Sequence, residues 1–435
     1  MAHMRRRIGA ALAVGLAVSL VAGCAPGPIE DDSPQEVQSM DPADFAGKTL
    51  TYMYFTDGPD EQATRDLVAQ FEQQYDVTVD LEILPYADMV TSTLNRLSGG
   101  NAPDVARLTS LTDFRDDLLE LDPYLGDDYA DQFLPGPLEA VRSDDGALLA
   151  VPSDLTMNGP FVNLDLFERA GVPVPEKWTW DEMIAAATQV KEATGTPYAF
   201  AMDKSGHRLS TVLSEYGTYL LGPDGNALDV DTAVEALQPL VDMMADDDMP
   251  ADFWLGSGSR YAGANEIFLS GDAPVYLSGN WQVAQFAKNA GFSWAVAPNP
   301  CAEQCGGFPG GKFMAAFRES ENPALAAEFL RFMNDTEHQE TFVATAGALS
   351  TRKDLSETGV TYADPVTQTA MDTFRADLLI TPEAGFASNA NPAFAAAATD
   401  LVEAVSLVVS GQTDLRSALT TLDGQIDDLV AELDR

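Results

Sequence analysis

Cys24 is the residue whose surroundings indicate the clearest chemistry. It follows three arginines, Arg5 to Arg7, an apolar run from Ile8 to Val21 and two small residues. A basic N-terminal part, an apolar middle and small residues before the cleavage site are typical of an export signal peptide. The run is shorter than the ~20 residues of a membrane-spanning helix. The end of the run resembles the bacterial lipobox, so we expect residues 1–23 to be a lipoprotein signal peptide and Cys24 to be lipidated at the outer face of the cell membrane. The alternative is a short anchor helix with an incidental cysteine.

The other two cysteines, Cys301 and Cys305, are four residues apart in a segment rich in proline and glycine. In an exported protein they can close that loop as a disulfide. A zinc site is the alternative, but the mature chain holds only His207 and His338, and neither lies next to these cysteines. We therefore expect a disulfide, and no metal or other cofactor.

The sequence contains no complete catalytic motif. No G-x-S-x-G segment is present, and two histidines leave little room for a Ser-His-Asp triad. Gly306 to Lys312 fits G-x-x-x-x-G-K, but Phe313 follows where a phosphate-binding loop needs Ser or Thr to hold magnesium. We interpret that match as chance.

The charge balance limits the partners. The chain has 68 Asp and Glu against 24 Lys and Arg, a formal net charge of −44. Nucleic acid and anionic lipid surfaces are excluded, since both need basic patches. The acids are spread along the whole chain, as on a solvated surface in a saline or acid-rich lineage. A cationic ligand such as a polyamine would also suit this charge.

Composition and periodicity predict the elements that must position any site. Residues 24–47 are rich in proline and acids and are expected to be a disordered tether. The remainder of the 435 residues exceeds the ~250–300 at which single cores split, which predicts two lobes. Leu50 to Phe55 and Val77 to Ile83 are typical of buried parallel strands, and helical patterns follow each of them. This alternation predicts an α/β fold.

Two helix starts are predicted from their capping residues. Thr179 and Glu182 form a capping box, Thr at the N-cap with Glu three residues later. Asp231 is expected to cap a further helix.

Several segments, in order along the chain, resemble the extracellular solute-binding proteins of carbohydrate ABC importers. Ser350 stands where that family often has proline. The matching segments are Leu97–Val105 ("G-x-x-P-D-V"), Val151-Pro152 with Asn163–Val172 ("V-P…N-x-D-L-F-x-x-A-G"), Trp178–Glu182 ("T-W-D-E"), Phe268–Ala273 with Ser278–Trp281 ("F-x-x-G-x-A…G-x-W"), and Gly306-Gly307, the helix after Asn322 and Gly347–Arg352 ("G-G…A-x-x-F-L…G-x-L-P-x-R").

The resemblance implies a two-lobe periplasmic-binding-protein fold of the maltose-binding type, with a hinge of crossing segments. It implies a monomeric binding protein, not an enzyme, that captures a mono- to oligosaccharide and delivers it to an ABC permease driven by a cytoplasmic ATPase. The alternatives are the same fold with a cationic ligand and an exported glycan-active enzyme. The expected lobes are 48–151 plus 298–338 and 152–297 plus 339–435, with crossings near residues 151–152, near 295–298 and after His338.

Sugar sites combine aromatic faces, which stack on C–H faces of the ring, with side chains that bond hydroxyls. The resemblance makes Trp281 the expected stacking residue, with Asn280 beside it. A core role for Trp281, surface ion pairing for Arg208, and turn or helix capping for Asp57, Asp154 and Asn158 are the alternatives. The other expected ligand contacts are Asp154, Asn158, Asp57, His207, Arg208, Trp254, Phe308, Phe386, Asn389 and Asn391.

Overall fold

A computed structural model of the chain describes residues 42–56, 58, 60–143, 145–256 and 259–433. The predicted signal peptide, Cys24, residues 25–41 of the expected tether and Asp57 lie outside them. The strands are β1 (Thr49–Tyr54), β2 (Thr78–Ile83), β3 (Val105–Leu108), β4 (Ala150–Asn163), β5 (Phe200–Met202), β6 (Leu221–Gly222), β7 (Gly225–Asn226), β8 (Val275–Gly279), β9 (Trp294–Val296) and β10 (Pro309–Ala316).

The α-helices are α1 (Asp60–Tyr75), α2 (Met89–Ser98), α3 (Asp122–Leu125), α4 (Pro135–Glu139), α5 (Leu164–Ala170), α6 (Trp180–Thr194), α7 (Gly206–Glu215), α8 (Val230–Ala245), α9 (Asp252–Leu255), α10 (Ala264–Leu269), α11 (Val283–Asn289), α12 (Pro323–Met333), α13 (Thr336–Ala346), α14 (Lys353–Thr358), α15 (Pro365–Ile380), α16 (Glu383–Ala390), α17 (Phe394–Val409) and α18 (Leu415–Leu433). Short 3-10 helices lie at Pro42–Asp44, Tyr86–Asp88, Thr112–Asp117, Tyr129–Gln132 and Asn280–Gln282.

The main sheet has the strand order β2-β1-β3-β10-β4-β8-β5, with β9 paired to β4. β1 lies parallel to both β2 and β3, so the predicted βαβ arrangement is confirmed. β10 is antiparallel to β3 and β4, and β4 is antiparallel to β8 and β9. We call β1–β3, β10 and the helices packed on them the first lobe, and β5, β8, β9 and their helices the second lobe.

Strand β4 belongs to both lobes. Its first half pairs with β10, for example Val151 with Met314, and its second half pairs with β8, for example Pro160 with Leu277. A register shift in β10 falls between Lys312 and Phe313, beside the middle of β4. One continuous strand therefore forms the centre of the connection between the lobes.

Each lobe has a dense aromatic or apolar core. In the first, Phe329 of α12 packs edge-on against Tyr52 and Phe71, with ring centroids 5.2 and 4.9 Å apart. In the second, the buried faces of α6, α7, α8, α17 and α18 form one cluster. Each of these helices buries an apolar face, as amphipathic helices of globular proteins do.

The folded body begins earlier than the sequence predicted. Phe45, within the expected tether, is buried, and its ring lies 6.0 Å from that of Tyr75. The N–H of Gly47 donates to the Asp76 carbonyl at 2.7 Å. Burial of the Phe45 ring and this backbone bond together attach the segment to the first lobe.

The lobe boundaries also differ from the expected ones. The loop from residue 299 to 305 contacts the second lobe, since the N–H of Cys301 donates to the Trp178 carbonyl and that of Gln304 to the Glu215 carbonyl, both at 2.9 Å. The crossing into the first lobe therefore lies at the start of β10, not at residue 298. Past His338, α13 still packs on α1 of the first lobe.

Helix capping follows the sequence in one case and differs in the other. Thr179 and Glu182 form the predicted capping box. The cap of α8 is Asp229, not Asp231, because Asp229 is extended and accepts from the Thr232 N–H at 2.7 Å. Asp231 pairs with Arg416 instead.

Among the described residues, no single helix is long and apolar enough to cross a membrane. α16 and α17, bent 97° to each other, meet that test only as a pair.

Candidate ligand-binding site

A cavity of about 380 Å³ lies where the two lobes face each other across β4 and β10, within the usual size range of ligand pockets. Side chains from both lobes surround it. The first lobe and the central strands contribute Phe55, Tyr86, Thr109, Ser110, Thr156, Asn158, Gly310, Gly311 and Lys312, and the second lobe contributes Ser205, His207, Arg208, Trp281, Phe394 and Ala395.

Trp281 lines this cavity directly after β8. Its ring lies on the backbone of Gly279, where an added Cβ would be only 2.1 Å from a ring carbon. The guanidinium carbon of Arg208 lies 4.4 Å from the ring centroid, within cation–π range. Glycine on one side and arginine on another hold the indole in place at the cavity wall.

Arg208, near the start of α7, is fixed by a carboxylate that sequence reasoning missed. Asp203 Oδ2 accepts from Arg208 Nε and Nη2 at 3.2 and 3.0 Å. Asp203 also accepts from the hydroxyls of Tyr276 and Ser278, both at 2.7 Å. Its position just past the end of β5, on the same edge as other strand ends, was the available signal.

Asn158 holds the other side of Arg208. Its Oδ1 accepts from Arg208 Nη1 at 2.9 Å, and its Nδ2 donates to Thr211 Oγ1 at 2.8 Å and to the His207 carbonyl at 3.1 Å. Asn158 lines the cavity, but these bonds occupy its side-chain amide in orienting Arg208 and the start of α7.

His207 contributes a neutral ring to the wall. Burial, followed by the nearby positive charge of Arg208, lowers its pKa to about 4. Nε2 lies 3.1 Å from Asn389 Oδ1, and because an amide oxygen only accepts, Nε2 carries the proton. The ring also meets Phe394 edge-on at 4.9 Å.

A buried charge network reaches the cavity from the first lobe. Arg107 of β3 is 2% exposed and donates to Asp60 at 2.8 Å and to Asp154 at 3.0 Å; these carboxylates are 1% and 0% exposed. Lys312 Nζ, at the cavity wall, lies 3.4 Å from Asp154 Oδ1. Asp154 was expected to touch ligand, but it is fully buried behind Lys312 and neutralises these cations instead.

Other expected ligand contacts have structural positions away from the cavity wall. Asn280 is buried. Its side chain accepts from the Met157 N–H of β4 and donates to the carbonyl of Gly347, which follows α13, so it joins these two elements. Trp254 is buried in the second core. Phe308 is buried and stacks on Phe394 at 5.2 Å. Asn280 begins a 3-10 helix and Trp254 lies in α9, and the packing of these short helices directs both side chains into the interior.

Three further expected contacts lie in α16 or directly after it: Phe386, Asn389 and Asn391. Phe386 packs against Gly136, and Asn391 donates to the Gly222 carbonyl at 3.1 Å. Asn389 supports His207 from behind. Phe394 lines the cavity itself and was missed, although it is only three residues past Asn391.

A second cavity of about 230 Å³ shares Phe55, Tyr86, Thr109 and Ser110 with the first and extends into the first lobe. Tyr86 is largely exposed at this shared rim, and its ring meets Phe55 edge-on at 5.1 Å. These first-lobe aromatics were also missed by sequence reasoning.

Cys301 and Cys305 are joined by a disulfide, with their Cα atoms 4.5 Å apart. Within the part of the chain that the structure describes, no group of three His, Cys, Asp or Glu side chains is arranged to hold a metal ion.

Comparison with known proteins places these features in context. The arabinooligosaccharide-binding protein of Bacillus subtilis (strain 168) is 24% identical over 310 residues, 67% of this chain and 70% of that protein. The sn-glycerol-3-phosphate-binding periplasmic protein of Rhizobium meliloti (strain 1021) is 26% identical over 218 residues, 48% of this chain and 50% of that protein.

Among solved structures, an ABC substrate-binding protein of Listeria monocytogenes in complex with cycloalternan superposes with a TM-score of 0.75 at 19% identity, covering 88% of this chain and 99% of that one. This likeness confirms the two-lobe fold of the maltose-binding type. The sequence profile of the family described as "Bacterial extracellular solute-binding protein" matches residues 56–340, more than half of the chain. The chain therefore belongs to the bacterial extracellular solute-binding proteins.

Proposed function

We propose that this protein captures a sugar, from a monosaccharide to an oligosaccharide, between its two lobes and delivers it to an ABC importer. The observation that carries the proposal is a cavity at the lobe junction that combines aromatic faces with polar side chains. Trp281 and Phe394 come from the second lobe, and Phe55 and Tyr86 from the first. Such faces suit the C–H surfaces of pyranose rings, while Thr109, Ser110, Thr156 and Ser205 can bond hydroxyls.

Binding can be coupled to closure because the two walls belong to different lobes. A ligand that touches both walls only when the lobes close shifts the equilibrium towards the closed form. Closure would then present one docking surface to the permease, and the cytoplasmic ATPase would drive release. The protein acts as a monomer in this scheme.

Location follows from the family and from the N-terminal sequence. Lipidation of Cys24 would hold the protein at the outer face of the cell membrane, and residues 25–41 would tether the body to it. A tether of this kind raises the local concentration of binding protein at the importer.

The two alternatives are weaker for specific reasons. A polyamine would meet Arg208 and Lys312, and no described residue on the cavity wall is a carboxylate. The same feature opposes a glycosidase, whose mechanism needs two carboxylates beside the scissile bond. In the proposed function the protein therefore binds its sugar and releases it chemically unchanged.

Calorimetric titration of the mature chain, with Cys24→Ser to avoid the lipid, tests the proposal against mono-, di- and oligosaccharides, polyamines and amino acids. One sugar class should bind and be recovered unchanged by chromatography. Trp281→Ala should weaken binding about tenfold or more, since aromatic contacts contribute about 0.5–1.5 kcal/mol beyond their buried area.

The matched control is Tyr261→Ala. Tyr261 also lies under an arginine, 4.7 Å from the Arg260 guanidinium carbon, but it is not on the cavity wall. This variant should keep wild-type affinity. Binding of polyamines alone, or consumption of the sugar, would replace the proposal with the corresponding alternative.

A further inference from the structure

We propose that the captured solute carries an anionic group, a carboxylate or a phosphate ester, and that Arg208 binds it. This inference rests on the proposed function and specifies its ligand class. A sugar acid and a sugar phosphate share the chemistry that Arg208 would recognise, a pair of negatively charged oxygens.

The charge of the cavity wall is opposite to that of the chain. Acids outnumber bases 68 to 24 in the sequence. Among described residues, however, the charged side chains that line the two connected cavities are Arg208, Lys312 and Arg107, and no carboxylate lines either one. A wall that merely sampled the composition would hold more acids than bases. The charged part of the wall is therefore basic although the chain as a whole is acidic.

The carboxylates that balance these cations lie away from the wall. Asp154 is fully buried behind Lys312, and Asp60 is buried behind Arg107. Asp203, the partner of Arg208, is not among the lining residues of either cavity and also accepts from the Tyr276 hydroxyl. An anion in these cavities therefore meets Arg208, Lys312 or Arg107 at the wall.

Arg208 has donors to offer. A guanidinium carries five N–H groups, and three of the bonds from Arg208 go to Asp203 and Asn158. The remaining two N–H groups, one on each terminal nitrogen, have no acceptor among the described residues. Two such donors on one planar group match the two oxygens of a carboxylate or phosphate.

The guanidinium is also pre-organised. Asp203 and Asn158 hold it in its plane, and Trp281 lies across its face at 4.4 Å. Little side-chain freedom is therefore lost when an anion binds. The repulsion from the rest of this acidic chain is damped by salt, because exposed charges beyond about 8 Å are largely screened at physiological ionic strength.

The test titrates the mature chain carrying Cys24→Ser with matched ligands: neutral hexoses and oligosaccharides, the corresponding uronic acids and oligouronides, and glucose 6-phosphate and glycerol 3-phosphate. The best acidic ligand should bind about tenfold or more tightly than its neutral counterpart, as expected for charge-assisted hydrogen bonds. Its affinity should fall as NaCl is raised. The uronate and phosphate series identify which anion the site takes.

Arg208→Gln should remove the preference for the acidic ligand while leaving weak binding of the neutral one. Arg208→Lys, which keeps the charge but loses the fork, should retain part of the preference and guards against a folding defect, as does the melting temperature of each variant. The matched control is Arg260→Gln, because Arg260 also pairs with an aspartate and stacks on an aromatic ring away from the cavity.

The outcomes separate this inference from the function on which it rests. Neutral sugars that bind as well as their acidic counterparts, or an Arg208→Gln variant that loses both equally, would overturn the anion site and leave sugar capture standing. Binding of glycerol 3-phosphate with no sugar would keep the anion site and remove the sugar. A chain that binds none of these ligands would refute both.

Discussion

Replacing Arg107 with methionine should destabilise the folded protein by about 3–5 kcal/mol. Its guanidinium donates to the Phe55 carbonyl at 2.7 Å, to Asp60 at 2.8 Å and to Asp154 at 3.0 Å. The ring of Tyr54 lies 4.9 Å from its guanidinium carbon. Methionine keeps much of the volume but removes the charge and all three bonds.

The magnitude follows from the burial of the two acids. Both carboxylates are almost completely shielded from water, so neither can recover its lost partner by hydration. Breaking a buried ion pair by removing one member costs about 3–5 kcal/mol, because an uncompensated buried charge remains. The packing loss adds little, since methionine adapts to irregular space.

Urea unfolding of the ligand-free Cys24→Ser chain, followed by circular dichroism, measures this loss. Arg96→Met is the matched control: Arg96 pairs with Glu82 at the surface, and such pairs contribute about 0–1 kcal/mol. A loss below about 1 kcal/mol for Arg107→Met, or equal losses in the two variants, would refute the argument that burial makes the Arg107 network costly to break.

Three further predictions concern pH and the disulfide. The pKa of His207 is lowered from 6.5 to about 4, so as pH falls the unfolded chain takes up this proton before the folded chain does. The free energy of unfolding should therefore fall by on the order of 2–3 kcal/mol as pH drops from about 6.5 to 4. Urea unfolding of His207→Gln at several pH values should lack that fall, and a variant with the wild-type pH dependence would contradict the prediction. Burial raises the pKa of Asp377 from 3.8 to about 6 despite the bonds from Asn299, so its contribution to stability should be lost as pH rises from about 3.8 to 6. In the same assay, Asp377→Asn should remove this opposite dependence of the unfolding free energy on pH. Reduction of the disulfide between Cys301 and Cys305 should cost about 2 kcal/mol, as the chain-entropy relation gives for so short a loop, and no change in melting temperature on reduction would count against it.

Features with a local signal were predictable from the sequence. The βαβ start was confirmed because apolar runs and a helical stripe alternate there without ambiguity. The capping box at Thr179 was predictable since its partners are three residues apart. Phe45 was not, because one aromatic residue inside a polar segment has no periodicity to reveal that it is buried.

The site was predictable only in part. Trp281 and Arg208, two of the expected ligand contacts, line the cavity, but Asp203, which fixes Arg208, and Arg107 were missed. Arg107 pairs with acids 47 residues away, and Asp203 accepts from hydroxyls 73 and 75 residues away as well as from Arg208, which is only five residues away. Pairing over the longer distances leaves no mark in one sequence. Asn280 and Trp254 were expected at the site, yet both face the interior, which depends on how the short helices that carry them pack.

The late arrival of β10 in the chain has a consequence for export. β3 pairs with β1 on one side and with β10 on the other, so the first lobe cannot complete its sheet until residues 309–316 have been synthesised. Contacts across so many residues form slowly, because the intervening chain must first be ordered. We therefore expect the nascent chain to remain incompletely folded while its N-terminus is already available to the export machinery. The late strand β10, which pairs with β3 and with the strand β4 shared by both lobes, would then delay folding until translocation has begun.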